Sequence, residues 1–173
     1  MTLSDFVRWL KEQLNVNELV FSLIIGMVFV NLSLIIHELS HVIVANLLGV
    51  KASIAYLQMF TGATSLGEAT PSQMILIALA GPLGALLYGL YMWYLEPDGI
   101  LRFAGLASFF YSVIPNLAPF IQGSDMYVAI QNGLNPFVGW IIYLFVFAYC
   151  TKIVLDEIYD RPVSYTHLTL PTN

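Results

Sequence analysis

Four apolar stretches, near Leu19 to Leu48, Ser72 to Leu95, Ile100 to Leu117 and Pro136 to Leu155, govern what this chain can become. A hydrocarbon core of about 30 Å takes roughly 20 helical residues to cross, and each stretch is read as one crossing. The third is the shortest and ends among prolines. Only 10% of the 173 residues are charged and 58% are hydrophobic, with a mean hydropathy of +0.78, more apolar than a soluble core requires. The expected architecture is an all-α integral membrane bundle of about four transmembrane helices.

The connections carry their own signals. Between the first two stretches, Gly49 to Pro71 mixes Thr, Ser and Gly with Ile54, Tyr56, Leu57, Met59 and Phe60, a pattern of short strands. A small β-hairpin-like insertion at the membrane edge is expected there. Glu96-Pro97-Asp98-Gly99 reads as a tight turn joining the second and third stretches.

Residues 1–18 carry Asp5, Arg8, Lys11, Glu12 and Glu18 among apolar residues at helical spacing, which suits an amphipathic segment in the membrane interface or a solvated lead-in helix, not a cleaved signal peptide. Residues 19–160 form the embedded core. The polar tail, residues 161–173, resembles translated adapter sequence more than a fold element, so a non-native tail is expected and His167 is left out of the candidate ligands. No internal repeat or linker divides the core.

Six Lys and Arg against a net charge of -5 offer no basic stripe for nucleic acid, and no phosphate-cradling Gly-rich loop is present, so neither nucleic acid nor nucleotide is an expected partner. Cys150 is the single cysteine and reads as a small apolar residue. With four crossings, Arg8, Lys11, Arg102, Lys152 and Arg161 fall on one side and Lys51 on the other, which favours both termini inside.

The chemistry concentrates in His37-Glu38-Leu39-Ser40-His41, inside the first apolar stretch. Residues four apart share one helical face, so His37 and His41 can offer two imidazole nitrogens to one ion with Glu38 beside them. A catalytic zinc takes three protein ligands and keeps a position open for water, whose proton a carboxylate such as Glu38 can remove. The competing reading, polar residues satisfied by neighbouring helices, must meet a cost of at least about 2.5 to 3.5 kcal/mol for each ionisable group near the bilayer centre. Three such residues in five positions make a functional cluster the better account. Ser33 and Asn31 suit either a water path with supporting hydrogen bonds to the site or helix-to-helix hydrogen bonding.

That pentad, followed by Asn46-Leu47-Leu48-Gly49-Val50, resembles the first active-site helix of the site-2 protease family of intramembrane zinc metalloproteases. Ala80-Gly81-Pro82-Leu83-Gly84 is similar to the Gly-Pro motif of that family's next core helix. Asn116-Leu117-Ala118-Pro119 resembles the start of the motif that ends in its third zinc ligand, an Asp. The likeness runs from Phe21 to Tyr127, and the pentad is its specific part.

By this resemblance His37, His41 and Asp125 bind Zn2+, Glu38 is the general base, Asn116 holds substrate backbone or a reaction oxyanion, and the hairpin captures an unwound substrate segment. It also implies membrane-spanning protein substrates, a lipid bilayer setting and a multi-pass protein of a prokaryotic plasma membrane. The family's active site lies toward the cytosol, whereas the basic residues place His37 and His41 nearer the outside.

The last motif departs from the family. The Asp commonly stands eight positions after the Asn with Gly next; here Ser124 is eighth, Asp125 ninth, and Met126 follows. Asp125 is the only carboxylate between Asp98 and Asp156, and Pro115 and Pro119 can break the helix and let the chain return to the site. The alternatives are a solvated loop Asp, with Glu68 or water completing the metal sphere, or an inactive protein.

Other readings stay beside these. Gly81, Gly84 and Ala85 suit close helix packing, Asn116 a helix-end cap, and the hairpin a structural lid. For the whole chain the rivals are a family member that binds substrate helices without cutting them, and a metal or proton transporter. Neutral imidazoles with a carboxylate suit zinc, and also admit cobalt or iron.

Overall fold

The computed structural model describes residues 16–95 and 100–160. The elements run α1 (Val16–Leu47), β1 (Ala52–Gln58), β2 (Thr61–Leu66), α2 (Pro71–Leu95), α3 (Ile100–Ser108), a π-helical segment (Phe109–Val113), α4 (Ile114–Leu117), α5 (Asp125–Gln131) and α6 (Pro136–Asp160). The expected 96–99 turn, the 161–173 tail and nearly all of the 1–18 segment lie outside the described residues.

Among the described residues, three helices are long and apolar enough to cross a membrane: Ile24–Leu47, Pro71–Leu95 and Pro136–Asp156. The remaining expected crossing is helical from Ile100 to Leu117, but its apolar part, Ala104–Leu117, is shorter than a spanning helix. The molecule is therefore mostly helical with three candidate spans and one small antiparallel sheet.

The chain leaves α1 through Gly49, whose φ of 77° favours a residue without a Cβ. β1 and β2 then pair antiparallel from Ala52↔Leu66 to Gln58↔Thr61, with a bulge between Ile54 and Tyr56. An isolated pair of strands is marginal by itself. This one is held against α1, along residues seven apart on one helical stripe. Asn31 Oδ1 accepts from the Phe60 amide (3.1 Å), Glu38 meets Thr64, and Ala45 packs in a cluster with Val50, Ile77 and Leu66. The hairpin tip consequently reaches Asn31, about 25 Å of helix back from Leu48. The expected hairpin is present, and it runs alongside α1, because its polar contacts are spread along that helix.

Behind the hairpin, α1, α2 and the α3 run pack face to face through small residues. A Cβ on Gly105 would lie 2.6 Å from the Gly89 carbonyl oxygen, and one on Gly84 only 1.9 Å from Ser40 Oγ. Ser33, Ser108 and Ser112 form a buried cluster at this contact, with Oγ separations of 2.7 and 2.9 Å from Ser33, and Ser108 donates to the Ala85 carbonyl. Ser33 thus joins helices, the second of its two sequence readings. The main apolar core gathers Ala85, Trp93, Phe109, Val113, Leu117, Met126, Cys150 and Ile153 from α2 to α6.

Candidate metal centre

His37, Glu38 and His41 sit in the C-terminal half of the first candidate span, all buried (3%, 6% and 6% exposed). Opposite them α2 presents Gly81. A Cβ there would stand 2.3 Å from His41 Nε2 and 2.7 Å from His37 Nε2, so the imidazoles fill the space a side chain would take. Packing was the sequence reading for Gly81; the partner it packs against is the histidine pair. Pro82 next to it withholds the N–H that the Ala78 carbonyl would accept. The neighbouring carbonyl, Ile77 O, receives His41 Nδ1 at 2.7 Å. A carbonyl only accepts, so Nδ1 carries the proton and neutral His41 directs its Nε2 lone pair inward.

Asp125 arrives from the other side. α4 ends at Leu117, Ala118 turns extended, and the chain returns to start α5 at Asp125. Ser124 caps that helix: its Oγ accepts from the Tyr127 amide (3.1 Å) and donates to the Ala118 carbonyl (2.7 Å). The position where the family commonly carries its Asp is here a cap, and the first helical residue supplies the carboxylate.

The three side chains converge. His37 Nε2 lies 3.1 Å from His41 Nε2 and 2.9 Å from Asp125 Oδ2, and His41 Nε2 lies 3.4 Å from Asp125 Oδ1. Ligands 2.0–2.1 Å from a tetrahedral zinc stand about 3.3 Å apart, so the spacing suits one shared ion. The donor chemistry agrees, since two facing imidazole nitrogens and a carboxylate make a zinc-type set. Asp125 Oδ2 is buried, and no hydrogen bond of proper geometry satisfies it. Glu68 is exposed and outside this group, so it does not complete the set.

Glu38 is held by a residue that the sequence did not single out: Thr64 on β2 donates from Oγ1 to Glu38 Oε2 at 2.8 Å. A cavity of about 630 Å³ opens over the cluster, lined by His37, Glu38, His41 and Asp125, by β2 from Thr61 to Thr64, and by Tyr111, Pro115 and Asn116. Asn116 reaches this cavity while its Nδ2 donates to the Ser112 carbonyl (2.9 Å), a bond within its own helical run and not a helix-end cap. Asn31 binds Met27 O and the Phe60 amide, which gives it neither a part in the site nor the helix-to-helix role.

The family model described as Peptidase M50B-like matches residues 14–152, a stretch containing every residue of this cluster. The chain belongs to that family, one of site-2 proteases. No curated protein and no solved structure matches it. At family level the M50B-like chain is a peptidase, and with three spanning-length apolar helices it is an integral membrane protein. Metal dependence is typical of the family, and His37, His41 and Asp125 are the one group of potential ligands among the described residues.

Proposed function

We propose that this M50B-like protein is an intramembrane zinc metalloprotease hydrolysing peptide bonds within or beside transmembrane segments. The observation that carries the reading is the convergence of His37 Nε2, His41 Nε2 and the Asp125 carboxylate within 2.9–3.4 Å, at the wall of a cavity that also holds Glu38. These three side chains would hold the metal. Zinc bound there supplies Lewis acidity to a water and to the substrate carbonyl.

The protein's own residues do the rest. Glu38 takes the proton of the attacking water and delivers it to the leaving amine as the C–N bond breaks. Thr64 leaves one Glu38 oxygen free for that exchange. A substrate helix conceals its peptide bonds in its own hydrogen bonds, and the β2 edge offers an unwound segment main-chain partners instead. Asn116, which lines the same cavity, orients that segment. Residues 19–160 act as one embedded unit, with the Ile100–Leu117 run as a fourth crossing packed on α1 and α2. A prokaryotic plasma membrane is its proposed location.

Metal content measured with cleavage of a model transmembrane substrate tests this. Wild type should hold about one zinc and cleave; Glu38→Gln should keep the metal and lose cleavage; His37→Ala and Asp125→Ala should lose the metal. Wild type without zinc removes the catalytic reading. Zinc without cleavage transfers the assignment to a family member that binds substrate helices and leaves them whole.

A further inference from the structure

We propose that Thr64 is a positioning residue for the general base, so that the seating of the hairpin and the competence of Glu38 are one event; this rests on the protease reading above. The Thr64 hydroxyl lies 2.8 Å from Glu38 Oε2 and 3.3 Å from the Glu38 backbone carbonyl. It has one proton, and the shorter distance directs it to the carboxyl oxygen. One carboxylate oxygen is thereby tied to β2.

The strand is built around this contact. Alternate residues share a face of a strand, so Gly62, Thr64 and Leu66 look the same way. A Cβ on Gly62 would lie 2.9 Å from Glu38 Cγ, and Leu66 packs by Ala45 and Ile77. Glu38 is thus covered by a glycine and gripped by a hydroxyl two residues on. Thr61 to Thr64 also line the cavity, so a segment pairing with β2 loads the strand that holds the base. A poorly seated hairpin leaves Glu38 free to rotate.

Thr64→Val keeps the branched shape and removes the hydroxyl; Thr64→Ser keeps the hydroxyl. Losing a hydrogen bond to a charged group in the reacting arrangement lowers kcat by about ten- to a hundred-fold. The expected result is that drop for Thr64→Val with KM and zinc content unchanged, near wild-type kcat for Thr64→Ser, and no effect of Ser53→Val on the exposed strand β1. A second readout needs no turnover: the Tm of zinc-loaded protein should fall with Thr64→Val when Glu38 is present and hold when Glu38 is Ala.

Wild-type kcat in Thr64→Val overturns the proposal, as does a raised KM at constant kcat, a loss that Thr64→Ser fails to rescue, or a Tm change indifferent to Glu38. Wild type that holds zinc and cleaves nothing removes the protease reading and this role with it, an outcome distinct from a cleaving wild type that ignores Thr64.

Discussion

Gly81 and His41 are in contact so close that a Cβ on the glycine would lie 2.3 Å from the imidazole Nε2. The atom displaced would be one that faces the proposed metal, and α2 backbone cannot move without also carrying the Ile77 carbonyl that holds His41 Nδ1. Gly81→Ala should therefore lower zinc affinity by about ten- to a hundred-fold, the range for losing a supporting contact behind a ligand. Competitive zinc titration in detergent measures it, and unchanged affinity would show that the two helices can separate freely.

Phe60 sits in the left-handed region with φ of 65°, a conformation costing a non-glycine residue about 1–2 kcal/mol. It is held from both sides: its amide by Asn31, its carbonyl by the Tyr111 hydroxyl, with the two rings in edge contact. Tyr111→Phe keeps the ring contact and loses the hydroxyl. Amide exchange at residues 58–62 should then quicken about two- to ten-fold while zinc content holds. Equal exchange in the two proteins would mean that the strand pairing alone fixes the tip.

The histidine pair of the candidate site was legible in the sequence because its cause is local. Four-residue spacing puts His37 and His41 on one helical face whatever surrounds them, and ionisable groups in an apolar run need a reason to be there. Asp125 was reached through resemblance, against its own spacing; only the tertiary path from Leu117 to Ser124 shows why one extra residue fits. Thr64 was invisible for a different reason. Nothing marks it out among the other hydroxyl residues of residues 61–65 until the register of β2 against α1 is known. Asn31 and Glu38 do stand seven apart, a helical stripe that could have signalled a second contact face. The fourth crossing rests on helical continuity from Ile100 to Leu117, whose apolar part, Ala104–Leu117, is shorter than the three longer spans, so length and composition alone do not establish it.

The serine cluster should behave as a joint between helices and not as part of the catalytic machinery. Ser108 touches both Ser33 and the Ala85 carbonyl, whereas Ser112 bonds Ser33. Hydrogen bonds of this kind between membrane helices contribute about 0.6 kcal/mol on average and up to about 1.7. Ser108→Ala should accordingly destabilise more than Ser112→Ala, by about 1–2 kcal/mol, and the pair with Ser33→Ala should be less than additive. Detergent unfolding curves report this, and strict additivity would mean that the hydroxyls do not act as one network.

The displaced aspartate gives the sharpest test of how the proposed third ligand is delivered. Ser124 turns its hydroxyl toward the Ala118 carbonyl, 2.7 Å away, while the carboxylate of the next residue reaches both histidines. Moving the acid to the family's usual place, as Ser124→Asp with Asp125→Gly, keeps a competent cap for α5 because Asp caps helices about as well as Ser. It aims the new carboxylate at the loop carbonyls instead of the metal. That double variant should fold but bind zinc at least about ten-fold more weakly than wild type. Ser124→Ala, which only removes the cap, should cost about 1 kcal/mol of stability and a smaller part of the affinity. Full zinc affinity in the double variant would mean that the loop from Ala118 to Gly123 shifts register freely, and that α5 does not hold the ligand in place.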